Sequence, residues 1–119
     1  MNYSNVDKEL CFALTMAKRV MMATNINGID PSKVSPAEME RYFIAYRDAT
    51  NMFNQINGAL DIVLMQRLDI NNQAFEEALI DLNNYVYATG GIVRNLQSAN
   101  EILSFLAKLI GVLVSMGLI

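Results

Sequence analysis

Apolar residues along this chain recur at steps of three and four, the spacing that lines one face of an α-helix. The pattern is densest from Ser98 to Ile119, SANEILSFLAKLIGVLVSMGLI. There Leu103, Phe105, Leu106, Leu109, Ile110, Val112, Leu113 and Val114 occupy most of the helical circumference, and Glu101, Ser104, Lys108, Gly111 and Ser115 keep one narrow polar line. A helix apolar almost all round has to be covered by something. It can be the central member of a bundle, a joint between subunits or a membrane segment.

The earlier pattern predicts three more helices. The first opens at Ser4, where Ser4-x-x-Asp7 can satisfy free amides of the opening turn, and runs to about Thr24 along Val6, Leu10, Ala13, Leu14, Ala17, Val20 and Met21. Phe12 and Met16 lie off that line, so this helix is expected to touch neighbours on two sides. From Asn25 to Ser35 the chain holds Asn, Gly28 and Asp30-Pro31, which favour turns, and this is the clear loop. Ser35-Pro36-Ala37-Glu38 then starts the second helix, about 36–67, with a cap, a proline at the first helical position and a glutamate three residues after the cap. Met39, Tyr46, Phe53 and Leu60 recur there at sevens between Tyr42, Ala49, Ile56 and Val63, with Phe43 and Leu64 widening the seam.

A short polar break follows, with Ile70 and Phe75 placed to staple around an Asn71 cap, and so short a link implies an antiparallel neighbour. The third helix, about 72–97, carries Phe75, Leu79, Leu82, Val86, Thr89, Val93 and Leu96. Gly90-Gly91 is its weak point, and the pattern favours a helix that continues through it with a kink. Ser98-x-x-Glu101 reads as the start of a fourth helix, about 98–117. Because Asn100, Leu103, Ala107, Ile110 and Val114 keep the heptad phase, one continuous third and fourth helix is the alternative. Alternation at period two is absent, so the expected fold is an all-α, mostly antiparallel bundle of four helices in a single domain, 1–119.

Composition sharpens this. The chain has 119 residues, 53% of them hydrophobic and 18% charged, against about 45 to 50% and a quarter in ordinary domains. A net charge of −3 and scattered basic residues argue against nucleic acid. The first residues, MNYSNVDKEL, lack the basic start and apolar stretch of a secretory signal, so a cytoplasmic protein is expected, with signal-independent export and membrane association left open. One cysteine and no histidine remove an intramolecular disulfide and the common zinc and cysteine-nucleophile arrangements, and Cys11 is expected to be a small half-buried core residue.

No catalytic, cofactor or metal residue is expected, and the chain is read as not an enzyme. Glu76, Glu77 and Asp81 could approach Asp61 or Asp69, but a solvated face at a helix N-terminus explains them, since the Glu-x-x-His element of carboxylate-bridged metal bundles needs a histidine. The expected contact residues for a partner are Phe12, Met16, Ile80, Tyr87, Phe105, Leu109, Val112, Leu113 and Met116, with Tyr87 sharing an outer face with Ile80 and Gly91. More apolar surface than one small bundle can hide implies a homo-oligomer or a protein partner, so the expected function is interaction or assembly: a self-assembling subunit, a small chaperone or a neutralising partner. The rival is a membrane-active or tail-anchored protein using 98–119, where Lys108 would cost about 2.5 to 3.5 kcal/mol at the centre of a bilayer.

Overall fold

Local chemistry sets where each helix begins and ends. A computed structural model of the chain describes residues 5–68 and 70–119. Four helices dominate them: α1 (Val6–Thr24), α2 (Pro36–Gln66), α3 (Gln73–Thr89) and α4 (Leu96–Ser115). There is no strand among the described residues, and the all-α four-helix bundle expected from periodicity is the observed fold. The expected Ser4 cap lies outside the described residues; α1 follows Asn5, whose side chain makes no capping bond.

The 25–35 loop contains one 3-10 turn, Ile26–Gly28, and an Asp30 carboxylate that accepts from the Ser32 amide at 2.9 Å and from the Ser32 hydroxyl at 2.7 Å. Both bonds favour the ionised form and hold the Asp30 carboxyl below its ordinary range. Beyond the loop Ser35 caps α2, its hydroxyl accepting from the Glu38 amide at 3.1 Å, and Pro36 takes the first position. Thirty-one residues carry α2 about 47 Å, close to the 50 Å length of the whole molecule. The helix stops at left-handed Arg67, φ 51°, whose amide donates back to the Val63 carbonyl.

The cap of α3 is Asn72, not Asn71. Its side chain accepts from the Phe75 amide at 2.9 Å, while Ile70 and Phe75 are both buried. The larger correction is at Gly90-Gly91. These residues take φ of 76° and 67°, so α3 ends at Thr89 instead of running to Gln97, and it neither kinks through nor merges with the fourth helix. Two successive left-handed residues cannot continue a right-handed helix, and only glycine adopts that conformation without a Cβ penalty. Accordingly α4 starts at Leu96, ahead of the expected Ser98. Asn95 accepts from the Ser98 amide at 2.9 Å and the Ser98 hydroxyl accepts from the Asn95 amide at 3.1 Å, which is a reciprocal capping box shifted by three residues from the expected one.

Helix α4 is the hub, touching α1, α2 and α3; α1 lies along α2, and α3 rests mainly on α4. Helix α1 does contact two neighbours, as its second strip implied: Met16 is fully buried and Phe12 half-buried. The buried positions of α4 are Ala99, Ile102, Leu103, Leu106, Leu109, Ile110 and Leu113. Its outer side is Asn100, Ser104, Ala107, Lys108, Gly111 and Ser115, with Val114 as the one large apolar residue there. The helix that reads as greasy all round is therefore amphipathic, its dry side broad and its wet side built of small and polar residues.

Candidate interaction surface

Helix α2 outruns its cover. Apolar positions of its seam begin at Met39, but buried ones begin at Ala45, and none of residues 36–44 is buried. The seam residues Met39, Tyr42 and Tyr46 are only half-buried. Phe43 and Leu64, expected to widen that seam, point away from it and are 50% and 53% exposed. Ile44 is 38% exposed beside Phe43, and Ile26 of the preceding loop shares a shallow recess with Phe43 and Tyr46. Large side chains are thus left in water at the end of the molecule where α1 hands over to α2.

A second recess, open and of about 450 Å³, lies next to this end. Arg19, Met22, Ala23, Gly90, Gly91, Ile92 and Val93 line it, and Met22 and Ile92 are largely exposed. The Arg19 guanidinium closes its floor by donating to the Gly91 carbonyl at 3.2 Å. Gly91 is packed so tightly that a Cβ would sit 2.7 Å from the Arg19 guanidinium and 3.2 Å from the Met16 methyl. The double glycine that breaks α3 is thereby also what brings the α3–α4 connection against α1.

The contact residues expected from sequence divide three ways. Met16, Leu109 and Leu113 are fully buried in the intramolecular core and cannot meet a partner in this arrangement, because α1 and α4 use them to pack on one another and on α2. Phe12, Phe105, Val112 and Met116 are half-buried against that core. Ile80 and Tyr87 are on the outer face of α3, 51% and 92% exposed, while Gly91 is buried and does not share their face. The expected contact residues do not include Met22, Phe43, Ile44 or Ile92, and Phe43 is expected in the core seam. A signal was present for two of them: Glu40, Phe43, Ile44 and Arg47 follow the i, i+3, i+4, i+7 rule on the side of α2 opposite Ala45 and Ala49.

The polar groups are structural. Tyr85 donates its phenol to Glu101 at 2.8 Å while its ring lies 5.1 Å from that of Phe105, clasping α3 to α4. Burial first, and the bond to the Glu101 carboxylate second, push the Tyr85 hydroxyl above its ordinary value. Lys108 pairs with Asp81 across the same two helices, and that bond raises the lysine's pKa. Of the acidic group, Glu77 is exposed, but Glu76 is 93% buried and not on a solvated face, with one carboxylate oxygen lacking a hydrogen-bond partner among the described residues. Asp69 lies outside the described residues. Cys11 is exposed, not half-buried, since it sits a step outside the Leu10–Ala13–Ala17 line. No group of three or more metal-ligating side chains converges among the described residues.

The class defined by this fold and surface is an all-α four-helix bundle with an uncovered helix end. No known protein family matches the sequence, and no curated protein or solved structure is significantly similar to it.

Proposed function

We propose that this chain is a non-enzymatic interaction or assembly protein, which acts by packing apolar helix surface against another polypeptide. The observation that carries this reading is the start of α2: a seam of Met39, Tyr42 and Tyr46 without full cover, and Phe43 and Ile44 turned outward into water. Each large apolar side chain fully removed from water contributes about 1.5 to 3 kcal/mol, so a cluster of them favours occupation by a partner. A self-assembling subunit, a small chaperone and a neutralising partner all use such a surface. The competing membrane reading has in its favour that Leu96–Ser115 is long and apolar enough to cross a bilayer, with a mean hydropathy of 1.4. It is disfavoured by the direction of those apolar residues, which are turned to the other three helices.

Sedimentation velocity and binding of an apolar-surface dye, both on the full chain, test the proposal. A mass above 13.3 kDa, or a monomer whose strong dye binding drops in a Met22→Ser/Phe43→Ser variant, supports it. A monomer that leaves the dye unbound removes it. Flotation of the full chain with liposomes in place of self-association transfers the assignment to the membrane reading.

A further inference from the structure

We infer that the occupant of the outward α2 face is the same face of a second copy, laid antiparallel across a two-fold axis between Phe43 and Ile44. This rests on the reading above and names its partner. Glu40, Phe43, Ile44 and Arg47 form one exposed strip on the side of α2 opposite the buried Ala45 and Ala49. Glu40 precedes the midpoint by the same distance that Arg47 follows it, about 5 Å at 1.5 Å rise per residue. A two-fold rotation there lays Phe43 and Ile44 of the two copies against each other and brings Glu40 against the partner's Arg47, twice. The strip is complementary to itself, acid to base around an apolar centre, as an isologous interface requires.

The neighbouring charges agree. Arg41 and Asp48 share one flank of that strip, and the same rotation brings Arg41 near the partner's Asp48 along the rim. Within one copy Arg47 lies 3.3 Å from Asp48, but both side chains are substantially exposed, at 58% and 40%, and adjacent exposed charges hold each other weakly. Ile26, exposed beside Phe43, widens the apolar centre. A parallel arrangement would set Glu40 on Glu40 and Arg47 on Arg47, so charge selects the antiparallel one.

The test is charge exchange on the full chain, read by sedimentation equilibrium. The unmodified protein is expected to dimerise at twice 13.3 kDa. Glu40→Arg alone and Arg47→Glu alone each set like charges together twice and are expected to weaken the dimer about tenfold or more. The double variant Glu40→Arg/Arg47→Glu restores it, and an equimolar mixture of the two single variants forms a heterodimer where neither forms a homodimer. Circular dichroism checks that each variant keeps its helices, which these exposed positions do not threaten. A dimer or larger assembly indifferent to the exchange overturns the inference and leaves the assembly reading standing. A monomer with strong dye binding does the same, whereas a monomer without it sinks both.

Discussion

At the scale of single residues the turn between α3 and α4 depends on two glycines with unequal demands. Gly90 needs its left-handed φ of 76° but has only the Ile92 side chain nearby, at 3.8 Å from a would-be Cβ. Gly91 needs φ of 67° and in addition has no room, with Arg19, Val86 and Met16 all within 3.2 Å. Gly90→Ala is therefore expected to destabilise by about 1 kcal/mol, and Gly91→Ala by more, because Arg19 must also give up its bond to the Gly91 carbonyl. Urea midpoints of the two variants check the order; equal losses would mean that the packing around Gly91 relaxes freely. Glu76 offers the opposite case. Its partnerless buried oxygen costs about 1 to 3 kcal/mol, while its place in the first turn of α3 returns about 0.3 to 1 kcal/mol through the helix dipole. Replacing it with Met, which fills a similar volume, is expected to stabilise by about 1 kcal/mol. Thermal unfolding decides, and a lower midpoint would reveal a favourable role for the carboxylate.

At the scale of helices, the interiors were legible in the sequence and the ends were legible only where side-chain chemistry was unambiguous. Ser35-Pro36 placed the start of α2 to the residue, because cap, proline and glutamate agree. The third and fourth helices were harder to separate, since Val93, Leu96, Leu103 and Ile110 keep one apolar phase straight through the break. Periodicity reports which face is dry; it carries nothing about φ, and φ at Gly90 and Gly91 is what ends α3. Once separated, α3 and α4 are joined again by Tyr85 to Glu101 and Lys108 to Asp81. The raised Tyr85 pKa means that the fold favours the neutral phenol. Its contribution is fully present below the ordinary tyrosine value near about 10 and is lost as pH rises through the higher folded value. Lys108, also raised, acts with the same sign. Tyr85→Phe is thus expected to lower stability near neutral pH by about 0.5 to 1.5 kcal/mol and to make the alkaline decline shallower without abolishing it. Urea midpoints measured at neutral and strongly alkaline pH check this, and parallel declines for both proteins would refute it.

At the scale of the molecule the helices divide into a shared hub and an unfinished end. Sequence periodicity marked α4 as the helix most in need of cover and left open whether a bundle, a subunit or a membrane supplies it; α1, α2 and α3 pack against it. Periodicity could not locate the free surface, since Phe43 resembles a core residue until the packing of α1 and α4 decides which part of α2 is covered. The distinction makes a paired prediction. Leu106 is fully buried on α4, which packs against α1, α2 and α3, and its replacement by Ala should cost about 2 to 5 kcal/mol. Set against a total of about 5 to 15 kcal/mol for a natural domain, that loss should be felt by every helix together. Phe43 is just as apolar and larger, but it is half exposed. In the monomer Phe43→Ser should shift stability by at most about 0.5 kcal/mol, and only a state in which that face is covered by another chain should raise the figure. Denaturant unfolding at low and high protein concentration separates the cases. Leu106→Ala loses the same stability at both, whereas Phe43→Ser falls below the parent protein only at the high one. A Phe43 variant as damaged as the Leu106 variant under dilute conditions would place Phe43 in the core of the single chain and remove the free surface on which the proposed assembly rests.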